Sequence, residues 1–265
     1  MASNLSTIGF VFANEDDFRA AMVRYAAETA AHAVCPAGTY GIWRSRAGAE
    51  IWFHLSPSDN GTTEICGLTP FFDGQSEVPL QITGIVPRNG DNPFEGAFTG
   101  WVNPDDSGEG SYPLVFDAVD FAMQAEAHWP AVRRVRLSGF AREIAAFADD
   151  DAYSAARNSL EDDQAKLAPQ AFIPIGLFAA AQSADDGNAA EAKPPSSAAL
   201  FTGRIKDHRT FTNDATGHSF EWLLIESLDA TFDVVADPAV VTGTIAIGGT
   251  VEAAVWLFGR FLDEH

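Results

Sequence analysis

Two cysteines, Cys35 and Cys66, are all that the 265-residue chain contains, too few and too far apart for a disulfide framework or a zinc knuckle. Lysine is nearly as scarce, with Lys166, Lys193 and Lys206 alone, and the 16 basic residues face 37 acidic ones for a formal charge of -21. A field of that sign repels phosphate backbones and anionic headgroups, so nucleic acid and membrane surfaces are excluded as general partners. A basic protein is the partner that such a field attracts. Long apolar runs are missing too. The uncharged stretch 171–184 contains Pro174 and Gly176 and falls short of the about 20 apolar residues that a spanning helix needs. Residues 1–12 lack the basic and apolar regions of a secretory leader, and a reducing, cytoplasmic setting is the expectation.

Catalytic signatures are equally absent. There is no Gly-x-Ser-x-Gly elbow, and Gly243, Gly248 and Gly249 lie among β-branched residues as bends rather than as a phosphate cradle. The six histidines show none of the paired spacings of zinc hydrolases. His208 and His218 flank a turn near Asp207 and Asp214, but a metal needs three or four converging ligands, and this pattern reads as a solvated loop. No metal and no cofactor is therefore expected. Cys66, between Ile65 and Gly67, reads as a core residue of a strand.

What is present is hydrophobic content of 46% with 20 Phe and 6 Trp, enough for a large core. The spacing of Phe18, Met22, Tyr25, Thr29 and Ala33 predicts a helix capped by Asn14, after a first strand over 7–13. Strands are predicted over 40–46, 50–55, 63–69, 80–86 and 95–101, separated by loops rich in turn formers. Further apolar segments follow at 114–121 and 131–144, then a helix over 150–167. From 182 to 198 the composition turns to Ala, Ser, Asp, Asn and Pro, which reads as a linker or exposed loop between a domain over 1–181 and another over 199–265.

That last segment reads as five short strands, 200–206, 219–226, 231–236, 241–247 and 251–261, with turn formers at 212–217. In strand number and in its long first hairpin loop it resembles a small barrel of the oligonucleotide-binding kind, although no helix is evident between the third and fourth strands. The resemblance is architectural and carries no motif. The segment has few basic residues beyond Arg204, Lys206 and Arg209, which argues against single-stranded nucleic acid. The expected fold class is thus α+β: an N-terminal mixed antiparallel sheet with helices, followed by a five-stranded, OB-like C-terminal β-barrel.

One hairpin stands out as a candidate ligand site. A two-residue turn at Ala47-Gly48 would set Trp43 opposite Trp52 and Gly41 opposite His54, gathering Trp43, Glu50, Trp52 and His54 on one face. Aromatic rings with one carboxylate and one imidazole suit a sugar or another planar small-molecule ligand. The bland alternative is that both faces of this sheet are covered. Two function classes follow. The first is a non-enzymatic binding or interaction protein; the second is a small-molecule hydrolase that uses Glu50, His54, Asp73 and Asp117 in a cleft between the domains.

Overall fold

The computed structural model describes residues 3–29, 31–58, 61–88, 92–124, 126–159, 167–178 and 194–262. Strand accounts for 52% of the chain against 16% helix, which overturns the α+β expectation. The strands form one sheet of four and one mixed sheet of ten.

The small sheet is an antiparallel run of β1 (Ala31–Cys35), β2 (Gly38–Arg44), β3 (Ala49–Pro57) and β4 (Thr63–Phe72). Helix α1 (Glu15–Ala27) precedes it. Asn14 caps α1 by accepting the Asp17 amide at 2.9 Å, and Glu15, Asp16 and Asp17 set negative charge at the positive end of the helix dipole. The helix stops before Ala33, which lies in β1. The strand expected over 7–13 is instead a single 3-10 turn, Ser6–Ile8, followed by a segment in no ladder. Its carbonyls are satisfied by side chains, Asn213 Nδ2 donating to Ile8 O and Thr216 Oγ1 to Gly9 O, so it needs no neighbouring strand.

The large sheet is built from β5 (Val78–Pro87), β6 (Gly96–Val102), β7 (Pro113–Ala118), β8 (Ala131–Phe147), β9 (Ala171–Ile173), β10 (Ala198–Thr212), β11 (Ser219–Ser227), β12 (Ala230–Ala236), β13 (Val241–Gly243) and β14 (Thr250–Phe261). The short helices α2 (Phe121–Gln124) and α3 (Asp150–Asn158) interrupt the run. Its spine is an antiparallel ribbon of β8 and β14, paired from Val135↔Phe261 to Phe147↔Thr250. At one end of the ribbon, β5, β6 and β7 close a circuit: β5 pairs with β8, and β7 runs parallel to β14 at Asp117↔Phe258. At the other end, β10, β11 and β12 close a second circuit: β10 pairs with β14, and β12 runs parallel to β8 at Asp233↔Ser138.

The self-contained C-terminal barrel is therefore a second correction. Four of its expected strands are present, but β8, from earlier in the chain, completes the ring. The strand expected over 241–247 shrinks to Val241–Gly243, where Gly243 turns at φ +79° and ends the pairing. The linker expected over 182–198 falls largely outside the described residues, as does the end of the helix expected over 150–167; strands on either side of 182–198 share one sheet.

Two large apolar cores result among the described residues, beside a small cluster of Val86, Ala97 and Val115. One fills the strand circuits, around Phe98, Phe116, Leu137, Phe201, Ile225 and Phe232. The other lies between the small sheet, α1 and the large sheet, around Tyr25, Tyr40, Trp52, Phe71, Phe140 and Phe258. Among the described residues no helix is long and apolar enough to cross a membrane.

Candidate functional site

The site begins with the register of β2 and β3. Their loop has three residues, Arg46-Ala47-Gly48: the Ser45 amide donates to Ala49 O at 2.8 Å, and Gly48 adopts φ +85°, a left-handed conformation that glycine supplies at no steric cost. The extra residue slips the pairing by one, to Arg44↔Glu50, Ile42↔Trp52 and Tyr40↔His54. A one-residue slip moves side chains to the opposite face. Trp43 consequently pairs with Ile51 and packs on Tyr25 and Phe10, with ring centroids 4.6 and 5.6 Å away. Glu50, Trp52 and His54 share the other face, as expected for alternate residues of one strand, and Trp43 is parted from them.

That face is covered by the large sheet. Glu50 has 0% exposure and accepts from Arg44 Nε at 2.5 Å, Trp52 Nε1 at 2.7 Å and Arg260 Nη1 at 3.3 Å. Arg260, on β14, also donates through Nη2 to Asp73 at 2.6 Å, and Asp73 pairs in turn with Arg136 on β8. Glu50 and Asp73 are thus joined by one guanidinium that ties the small sheet to the β8–β14 ribbon. A carboxylate ringed by such donors is a structural anchor, because breaking one partner leaves an uncompensated buried charge.

His54 is buried as well, stacked on Phe94 with centroids 5.1 Å apart. The Phe94 amide donates to Asn92 Oδ1 at 3.2 Å, which fixes the amide so that Asn92 Nδ2 donates to His54 Nδ1 at 2.9 Å. Nδ1 therefore carries no proton, and Nε2–H donates to Thr69 Oγ1 at 3.1 Å. Burial pulls the imidazole down to about 4, in keeping with this neutral tautomer.

Beyond Thr69 a cleft of about 350 Å³ opens between β4 and the large sheet, of a size that suits a small molecule. Leu68, Pro70, Trp256 and Phe258 give it apolar walls, and Thr69, Glu95, Arg88 and Asp117 give it polar groups. Asp117 accepts from Arg88 Nε at 2.7 Å and from the Trp256 indole, while Arg88 also donates to Pro195 O at 2.7 Å and to Ser197 Oγ at 2.9 Å. Burial pushes the Asp117 carboxyl up, against the opposing pull of Arg88 and Trp256. Donors on both of its oxygens favour the ionised form. Glu95, by contrast, keeps 46% of its side chain exposed and accepts from Asn92 Nδ2 at 3.0 Å.

Of the residues singled out in the sequence, Asp117 alone lines this cleft, with His54 one hydrogen bond behind it through Thr69. Arg88, Glu95, Trp256 and the bridging Arg260 carry no local signal, since Arg88 and Glu95 flank the connection between β5 and β6 while Trp256 and Arg260 lie on β14, and pairing across more than a hundred residues brings these segments together. A larger hollow of about 460 Å³ lies against α1, but its polar groups are engaged: Asp17 with Asn14, Thr216 with Gly9, and Arg24 over the Tyr25 ring. His208 pairs with Glu221 at 2.7 Å and Asp214 takes the Arg46 amide at 3.1 Å, so the histidine loop does not converge. Among the described residues no three His, Cys, Asp or Glu could hold a metal. Cys66 is exposed rather than in the core.

No family model, curated protein or solved structure matches the chain.

Proposed function

We propose that the protein is a non-enzymatic binding protein whose inter-sheet cleft receives a small molecule. One observation carries this reading: the groups that hydrolysis would need are engaged in holding the fold, whereas the cleft keeps a half-exposed carboxylate beside apolar walls. Glu50 and Asp73 are bridged by Arg260, Asp117 is clamped by Arg88 and Trp256, and His54 is a buried neutral donor. A general base needs a free lone pair within reach of substrate, and none of these four groups offers one. The indole of Trp256 reports on the cleft directly. A screen of small molecules by tryptophan fluorescence should yield saturable changes in wild type that vanish in Trp256→Phe; responses that persist unchanged in that variant would count against the cleft.

A second reading rests on charge. Among the described residues most arginines already pair with a carboxylate, which leaves the excess of the -21 charge facing solvent. That field would steer a basic protein partner, and such a complex weakens with added salt. Capture of a basic protein at low but not at high ionic strength supports it; a salt-insensitive complex speaks against steering.

A further inference from the structure

We propose that the molecule received by the inter-sheet cleft is a small organic cation, an amine carried on an apolar body; this rests on the cleft being a binding site. The charges lining the cleft are not equivalent. Arg88 and Asp117 neutralise each other, and the guanidinium is further held by Pro195 O and Ser197 Oγ. Among the described residues Glu95 has no such partner. Among the described residues the basic group nearest its carboxylate is His54, whose Nδ1 stands 3.9 Å from Oε1 and presents a lone pair rather than a proton. The neutral Asn92 amide is the donor it accepts from, and half of the side chain faces solvent.

Glu95 therefore supplies the cleft with one uncompensated negative charge, inside a molecule whose overall field draws cations toward it. An anion would meet that charge, and among the described residues that line the cleft no guanidinium is free to offset it. The remaining lining completes the match. Trp256 is locked by its indole N–H on Asp117, and an ordered indole is the best aromatic partner for an ammonium group. Leu68, Pro70 and Phe258 offer apolar surface to the body of the ligand. Glu95 and Arg88 also line an adjoining hollow with Ile85, Pro87 and Phe121, so the carboxylate stands where the two spaces meet.

The test compares three probes of one shape on the full chain by ligand-observed NMR and calorimetry: phenethylamine, 2-phenylethanol and 3-phenylpropionate. Phenethylamine is expected to bind at least about tenfold more tightly than the alcohol, and the propionate more weakly than either. Glu95→Gln should remove the advantage of the amine while leaving the alcohol unchanged, with folding checked by circular dichroism. If the alcohol or the propionate equals the amine, or if Glu95→Gln leaves the amine's affinity intact, the cationic class is wrong and the cleft still stands as a binding site. If none of the three binds up to about 10 mM, where even millimolar affinities register, both the cationic class and the cleft reading fall.

Discussion

Asp117 and Asp233 occupy matching points of the two strand circuits, and each accepts an indole N–H, from Trp256 and from Trp222 respectively. Each sits on the third strand of its meander where that strand runs parallel to the far end of the ribbon, opposite Phe258 in one case and Ser138 in the other. Their surroundings then diverge. Asp233 is fully buried and takes the amides of Gln75 and Ser76 at 2.9 and 2.8 Å, pinning the chain between the two sheets. Asp117 keeps 18% exposure and turns toward the cleft. The repeated topology has yielded an anchor at one end and a site wall at the other.

Asp233→Ala should therefore be the more damaging of the two substitutions. It leaves the buried Ser76 amide and Trp222 indole N–H, and the half-buried Gln75 amide, without this acceptor, each buried donor costing about 1–3 kcal/mol, so a loss of at least about 2 kcal/mol is expected in urea unfolding. Gly74→Ala should destabilise in the same way, because a Cβ there would collide with the Asp233 carboxylate. Losses below about 1 kcal/mol in both variants would contradict the anchor.

The bridge made by Arg260 gives a second prediction. Arg260→Met leaves Glu50 and Asp73 short of their shared cation and should cost about 3–5 kcal/mol. Adding Glu50→Gln should recover part of that loss, since it removes the buried charge that Arg260 offset. Strict additivity of the two changes would show that they do not interact.

Two buried groups set opposite pH slopes. The His54 pKa is lowered from 6.5 to about 4 by burial, so the unfolded chain binds the proton first, and the stability present above pH 6.5 is lost as pH falls toward 4. Asp120, on the turn before α2, is raised from 3.8 to about 7, chiefly by burial and against the Phe261 amide, so its contribution is present below pH 3.8 and is lost as pH rises through 7. Relative to wild type, Asp120→Asn should gain stability progressively from pH 4 to 7, whereas His54→Asn should lose the decline on acidification between 6.5 and 4. Parallel curves for wild type and variants in urea titrations across this range would refute both assignments.

The ribbon makes a further demand. A fragment over 194–265 carries β10, β11, β12 and β14 but not β8, leaving its circuit open along β12 and β14. Unpaired strands expose backbone groups that need partners, so the fragment alone should be unfolded or aggregated, and it should gain structure when coexpressed with residues 1–193. A cooperative thermal transition in the isolated fragment would contradict the shared ring.

Much of this fold is legible in the sequence, strand by strand. Alternating apolar residues and turn formers mark the observed strands to within a few residues over 38–57, 63–72, 78–87 and 219–236. Asn14 and Asp149 mark their helix starts, each accepting an amide of the first turn. What alternation does not encode is which strand is whose neighbour. The pairing of β8 with β14 spans about a hundred residues, and nothing in Arg133-Arg134-Val135-Arg136 announces that this strand completes a ring begun by Ala198. The two circuits share no visible sequence repeat, because pairing constrains which positions are apolar and not which residues fill them. For the site, the shared face of Glu50, Trp52 and His54 is legible because alternate residues of one strand must share a face. The side of Trp43 is not, since Gly48 can close either a two-residue or a three-residue turn and one residue of loop length decides the face.

The central claim is that a small molecule is received between β4 and the large sheet, and amide chemical-shift mapping of the labelled protein during titration with phenethylamine tests it most directly. Saturable shifts are expected to cluster at residues 68–69, 95–96, 117–118 and 256–258, with little change around α1. Shifts clustered instead at Phe12, Ala21 and Tyr25, or scattered without saturation, would contradict it.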